Sequence, residues 1–362
     1  MIFNSIIPVP SYTLLFYNVL LVVVLVSVLR LFVKGYVIQA PDKKETASFI
    51  LLLVVTLYMG LRPISWVFGD MGTYARYFRE FADGAEITNN KDYLWRLFMK
   101  FCSGIMSAQY FFLLCAILYV VPLYSAAKKW FGADRYFIFL MLVASFSFWP
   151  YGTNGIRNGL ATSFVVYALS LPKNKYLKYA IFLLAYFIHG SIIIPIVAYV
   201  LTLYYTNTRH YLIGWLIAIP LSIMLGGFWE NLFASLGFGG DRISYLTDDR
   251  FADQFAKVGF RWDFLLYSAA AVYAGYYFII KRNFNDNVYI QLFNIYLTAN
   301  AFWILVIRSS FSNRFAYLSW FLMAIIIFYP FFKQQFFVKQ QKVLAYTVLL
   351  YFGFTYFMFL IN

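Results

Sequence analysis

The sequence predicts an all-α, polytopic membrane protein, and three observations carry that expectation. Hydrophobic residues make up 63% of the 362 and charged residues only 12%, against about 25% charged in soluble globular domains. The mean hydropathy is +0.70. Apolar runs near the roughly 20 residues that a membrane helix needs follow one another with short connections, which leaves no room for a sizeable soluble domain. The expected organisation is a single membrane domain over residues 1–362.

In chain order the apolar runs fall near 12–33, 47–67, 107–126, 136–150, 153–171, 176–188, 190–205, 211–229, 262–280, 287–307, 313–332 and 342–361, which makes twelve candidate spans. The first has no basic stretch before it and no small-residue cleavage site after it, so it should persist as a helix and not be removed as a signal peptide. The polar stretch 69–107 includes DYLWRLFMKFCSGIM, where Leu94, Leu97, Phe98, Phe101 and Ile105 recur at helical spacing. That pattern fits a helix lying in the membrane interface, as a passive anchor or as a substrate gate. Residues 176–205 form either one long helix or two short ones meeting at His189 and Gly190. Gly weakens a helix by about 1 kcal/mol relative to Ala, and Pro195 lacks a backbone donor. Charge favours two: only then do all Lys-rich connections fall on one side, as the positive-inside rule requires. The stretch 230–261 contains GFGGDRISYLTDDRF, whose Gly237, Gly239 and Gly240 permit tight turns, and it reads as a mobile lid. In RSSFSNRFAYLSW, Ser309, Ser310, Ser312 and Asn313 lie between Arg308 and Arg314, a polar interruption suited to lining a cavity.

The resulting topology separates the two kinds of cation. Inner connections hold twelve Lys and four Arg, whereas the outer side holds three Lys and ten Arg: 62, 76, 79, 96, 157, 242, 250, 261, 308 and 314. Topology needs only positive charge, but Arg presents a planar fork matched to phosphate or carboxylate. The outer face therefore reads as built for an anion. The plainer reading is that part of the outer Arg set pairs with outer acids, among them Asp70, Asp92, Asp241 and Asp263.

The stretch from Trp149 to Ser191 draws most attention. Two apolar segments flank Lys173, Lys175 and Lys178, a helical hairpin with its basic turn inside, and this returns Arg157 and His189 together to the outer face. Ionisable groups at such positions are candidates for function. The alternatives are a snorkelling Arg and a packing His.

Other classes are excluded. The net charge of +14 has no basic arm or soluble module through which to bind nucleic acid. With two His, and with Cys102 and Cys115 at no metal-ligand spacing, no metal or other cofactor is expected. The aromatic share of 23% fits interfacial belts first and a sugar-stacking surface second.

Four segments, GDMGTYARYF at 69–78, IRNGLATSFVVYAL at 156–169, AYFIHGSIIIP at 185–195 and SNRFAYLSW at 312–320, resemble in order and spacing the EpsG/Wzy-type polysaccharide polymerases. Asp70 and Tyr74 occupy the family's acidic, Tyr-containing segment. Arg157 stands at its Arg before a small-residue helix, His189 at its His, and Arg314 at its late Arg; Asn158 replaces the family's frequent Gln. The resemblance implies a GT-C-like membrane glycosyltransferase in the bacterial cytoplasmic membrane. It would join undecaprenyl-pyrophosphate-linked oligosaccharide repeats on the extracytoplasmic side without a metal, with the bilayer and a chain-length regulator as partners. Arg157, Arg308 and Arg314 would clamp phosphate, and His189 would orient it or act as base, with Asp70, Asp241 and Asp263 as weaker bases. Asn158, Tyr74, Arg242, Tyr245 and Arg261 would contact substrate. The competing classes are a lipid-linked glycan flippase, which calls for repeat symmetry, and a membrane acyltransferase using His189 on a surface sugar.

The topology makes a direct prediction. Cysteines introduced at Lys173 and Asp249 should be labelled by an impermeant maleimide from opposite faces, and labelling from one face would overturn the arrangement.

Overall fold

A computed structural model describes residues 7–34, 44–88, 92–171, 175–235, 259–309 and 312–361. All the regular elements among them are helical. The chain divides into two units, residues 1–189 with 331–362, and residues 190–330. Asp241, Arg242, Tyr245 and most of the expected lid lie outside the described residues.

The first unit contains α1 (Ser11–Lys34), α2 (Lys44–Gly60), α3 (Asp70–Ala82), α4 (Tyr93–Ser103), α5 (Ala108–Phe131), α6 (Arg135–Val143), α7 (Phe148–Thr153), α8 (Ile156–Leu169) and α9 (Lys175–Ile188). The second contains α10 (Ile193–Tyr204), α11 (Thr208–Ser235), α12 (Trp262–Tyr276), α13 (Asn287–Leu305), α14 (Asn313–Trp320) and α15 (Met323–Phe328). The final helix, α16 (Gln340–Ile361), returns to the first unit and packs along α1, where Tyr356 Oη donates to Asn18 Oδ1 at 2.7 Å.

Each of the twelve apolar runs contains helix, but helix length divides them. Seven segments are long and apolar enough to cross a membrane: Ser11–Val33, Ala108–Val143, Thr208–Phe233, Trp262–Lys281, Asn287–Leu305, Arg314–Phe332 and Gln340–Ile361. The chain is a multi-pass membrane protein. Helices α2, α8, α9 and α10 have 17, 14, 14 and 12 residues, short of the roughly 20 that cross about 30 Å of hydrocarbon. Polar or glycine-containing turns cut them short: Asn154–Gly155 precedes α8, and His189–Gly190 separates α9 from the 3-10 turn Gly190–Ile192 that leads into α10. The expected break at His189 is thus present.

In the first unit α5 packs against α2 on one side and α8 on another. At Gly60 an added Cβ would lie 2.8 Å from the Leu113 Cα, so glycine is what lets α2 and α5 approach. Two hydrogen bonds hold α7 and α8 to α5: Tyr119 Oη donates to the Phe148 carbonyl at 3.0 Å, and Ser163 Oγ to the Tyr119 carbonyl at 2.7 Å. Helix α4 divides its apolar residues between two faces. Trp95, Met99 and Cys102 form its buried stripe, while Leu97, Phe101 and Ile105 stay exposed. The exposed apolar residues form a face uncovered by protein, as an interfacial helix requires, because Trp95 takes the inward position against Tyr74, Phe98 and Phe111.

In the second unit α13 lies at the centre, packed on α10, α11 and α14. Its Asn300 is fully buried and joins four helices. Asn300 Oδ1 accepts from Trp215 Nε1 at 2.7 Å, Nδ2 donates to Ser268 Oγ at 3.1 Å and Ser319 Oγ at 2.9 Å, and Ser268 Oγ also accepts from Trp320 Nε1 at 2.6 Å. Such a network stabilises only while every member is satisfied. Asn300→Leu strands the Trp215 indole N–H and should destabilise the protein by about 1–3 kcal/mol, the cost of an unmet buried donor. Thermal unfolding in detergent measures this, and an unchanged midpoint would contradict it.

Candidate functional site

The short connection between α8 and α9 makes the two helices antiparallel neighbours, so the start of α8 and the end of α9 share one end of the unit. Arg157 is the second residue of α8 and His189 follows the last residue of α9. Helix α4 packs on both α3 and α9, which brings its leading residue, Asp92, between them. One carboxylate oxygen of Asp92 faces both residues: Arg157 Nη1 donates to Asp92 Oδ2, and His189 Nδ1 stands 3.6 Å from the same atom, beyond hydrogen-bond length. The side chains of Arg157, Asp92 and His189 are 21%, 11% and 7% exposed.

Tyr74 of α3 completes the cluster, its hydroxyl accepting from Arg157 Nε at 3.1 Å. Burial raises the Tyr74 hydroxyl to about 12, an effect that Arg157 offsets only in part. It stays protonated at neutral pH and retains a proton to donate while it accepts from Arg157.

The backbone of Asp92 is strained in a way that fits this role. Its φ of 48° and ψ of 45° are left-handed, costing on the order of 1 kcal/mol outside glycine. It precedes α4 as the N-cap, yet its side chain makes no capping hydrogen bond. The carboxylate goes to Arg157 instead. Arg157 has particular use for it, since a cation in the first turn of a helix faces the unfavourable end of the helix dipole.

The segment ahead of Arg157 is held from two directions. Arg62, 1% exposed, donates through Nη1 to the Met59 carbonyl and through Nη2 to the Thr153 carbonyl, the latter at 3.2 Å, and its guanidinium lies over the Phe68 and Phe112 rings. On the other side Asn154 Oδ1 accepts from the Asp70 backbone N–H at 2.9 Å. Gly69 makes that bond possible, because its φ is 60° and an added Cβ would stand 2.4 Å from Asn154 Oδ1. Asp70 thereby opens α3, where an acid suits the helix dipole.

Of the residues singled out from sequence, the first unit gathers Arg157 and His189 about Asp92 and Tyr74 on Arg157, with Asp70 one turn before Tyr74. Asn158 is buried, and its Oδ1 accepts from Thr162 Oγ1 at 3.4 Å, a contact within its own helix. The remaining described candidates belong to the second unit. Arg308 Nη2 donates to the Ile223 carbonyl at 3.1 Å, beside the bend that α11 makes at Leu225. Arg261 and Asp263 form a two-bond pair at 2.9 and 2.6 Å, an Arg–acid pairing of the kind that the plainer sequence reading describes. Arg314 lies in the first turn of α14. Sequence reasoning counted Asp92 only among the outer acids and passed over Asn154. The one local signal for Asp92 is an acid directly ahead of an amphipathic helix. Among the described residues no group of three or more His, Cys, Asp or Glu side chains could hold a metal ion.

With this geometry in view, comparison with known proteins bears on what the cluster does. The model of the EpsG family matches residues 45–362. The chain belongs to the EpsG family. Its members are polysaccharide polymerase-type proteins, and the matched region of this EpsG-family chain includes every member of the Asp92 cluster. No curated protein and no solved structure matches.

The pairing on Asp92 can be measured apart from any activity. In a double-mutant cycle of Asp92→Asn and Arg157→Gln, unfolding free energies should show a coupling of about 1–3 kcal/mol, the range for residues in one charged network. Additivity within about 0.5 kcal/mol would mean that the two side chains do not depend on each other.

Proposed function

We infer that this EpsG-family protein is a polysaccharide polymerase that transfers a glycan from undecaprenyl pyrophosphate to a hydroxyl of another lipid-linked repeat, on the extracytoplasmic side of the bacterial cytoplasmic membrane. The observation that carries the reading is the meeting of Arg157 and His189 on the Asp92 carboxylate, inside the region that matches the family. A twelve-span, GT-C-like arrangement accompanies this reading.

In the proposed step the acceptor oxygen bonds to the anomeric carbon and the bond from that carbon to the pyrophosphate oxygen breaks. The leaving pyrophosphate keeps the electron pair. Negative charge accumulates on phosphate, and fixed cations aimed at it supply the largest part of such catalysis. Arg157 is the clamp residue that the first unit supplies; Arg308 and Arg314, the other sequence candidates for the clamp, belong to the second unit. The acceptor proton passes to His189. With Nδ1 toward Asp92, proton transfer runs through Nε2, the division of labour by which a carboxylate orients a catalytic imidazole. Asp92 is then a positioning residue. It holds the Arg fork and the imidazole at one point until the donor phosphate competes for Arg157. Among the sequence candidates for base, Asp263 is less suited than His189, since both its oxygens are engaged by Arg261.

Purified protein incubated with lipid-linked repeat should yield longer glycans. Arg157→Lys keeps the charge but loses the fork, and should lose most turnover; His189→Ala should lower it by about 100-fold or more. Near-normal glycan formed per folded molecule in both variants would refute the assignment. Lower membrane abundance with unchanged specific activity would mean that the two residues only support packing.

A further inference from the structure

Beside α3 lies a cleft that the Asp92 cluster does not use. Its volume is about 310 Å³, and it is lined by Ile64, Ser65, Trp66, Gly72, Ala75, Arg79 and Ala108. The floor is made of small residues: Gly72 and Ala75 from α3, and Ala108 from the start of α5. Trp66, 66% exposed, forms one wall. Its six-membered ring is seated directly on α3, because a Cβ at Gly72 would fall 2.3–2.7 Å from three of its carbons. Arg79 follows Ala75 by one turn, its Nε held on the Ala75 carbonyl at 3.3 Å, so the guanidinium is set at the cleft wall and not left to wander in solvent.

We propose that this cleft is a glycan subsite, binding a sugar of the oligosaccharide whose transfer is described above, and it rests on that reading for the identity of the glycan. With one face seated on Gly72, the Trp66 ring keeps its other face open to the C–H face of a sugar ring, while a guanidinium at the edge donates to hydroxyl or carboxylate oxygens. The volume is at the low end for small-molecule sites, roughly 300–1,000 Å³, which suits part of an oligosaccharide and not a whole chain. A lipid tail would have no use for Arg79. A phosphate alone would have no use for the Trp66 face. No acid lines the cleft, so it does not suit a metal ion. The other side of α3 presents Tyr74 to Arg157, and a helix is about 10–12 Å across with its side chains. A sugar held in the cleft would therefore stand a short distance along the glycan from the bond that reacts, and would set which repeat is accepted without touching the reacting atoms.

The test uses the full-length protein in nanodiscs and, as probe, the soluble repeat oligosaccharide released from its lipid by mild acid. Wild type should bind the probe in titration calorimetry. Trp66→Ala, Arg79→Gln and Ala75→Leu, the last filling the floor while leaving Trp66 and Arg79 in place, should each weaken binding by about 10-fold or more. In the polymerisation assay the same variants should raise KM by a similar factor with kcat within about twofold, whereas Arg157→Lys should lower kcat and leave probe binding intact. If wild type polymerises nothing yet binds the probe and Trp66→Ala does not, the polymerase reading fails and the glycan subsite stands. Equal binding by all the variants would overturn the subsite. So would absence of binding by wild type, lower membrane abundance of Trp66→Ala as its only defect, or displacement of the probe by inorganic phosphate but not by excess sugar.

Discussion

One carboxylate oxygen, Asp92 Oδ2, anchors the chemistry of the first unit. Arg157 and His189 come from the ends of two helices in a hairpin, and a guanidinium is expensive to hold at low exposure without a counter-charge. Asp92 supplies it from a third helix, in a left-handed backbone conformation and without using its side chain as a cap. The interaction is therefore maintained against local preference. Such strain persists where the surrounding packing over-determines it, and here α4 is clamped by α3 on one side and α9 on the other.

The apparatus behind this contact is made of polar breaks in a chain that is otherwise apolar. Backbone groups freed at a helix end need partners, and in a membrane protein they find them only in protein or in a wet cavity. Asn154 and Gly155 stop the chain before α8 and His189 stops it after α9, and each break leaves an ionisable side chain beside the stop. Arg62 shows how the freed groups are satisfied. It lies buried with two main-chain carbonyls as acceptors, one at the end of α2 and one at the end of α7, and it gives those carbonyls a cation where helix C-termini favour one.

The second unit handles the buried polarity around Asn300 with neutral groups. Asn300, Ser268, Ser319, Trp215 and Trp320 close a network with no formal charge, and Asp286 is placed at the start of α13, where it caps the Tyr289 N–H at 2.9 Å and accepts from Tyr329 Oη at 3.3 and 3.2 Å. Neutral networks of this kind fix the relative rotation of helices whose surfaces are otherwise interchangeable hydrocarbon. The first unit buries charged side chains at several points, Arg62 and Arg135 among them besides the Asp92 cluster, and its small residues serve close approach: Gly159 lets α8 lie against the Tyr151 carbonyl, 2.5 Å from where a Cβ would be.

Much of this was legible in the sequence alone. Composition and the length of the apolar runs determined a helical, multi-pass membrane chain, since hydrocarbon leaves a single-chain apolar segment few alternatives to helix. The break at His189 followed from Gly190 and the distribution of Lys, and the convergence of Arg157 and His189 followed from a basic turn between two short apolar segments. Four short motifs were enough to suggest the family. What only the tertiary structure decided was which partner each of these groups meets. Asp92 lies 65 positions from Arg157 and looked like any outer acid, and Asn154 and Arg62 carried no local sign of their roles. Likewise the apolar positions of α4 were visible, but not that Trp95 turns inward and Phe101 outward. Periodicity records that a side chain is apolar or charged along its own helix; the choice of partner is made by packing between helices distant in sequence, where burial and counter-charge are settled together.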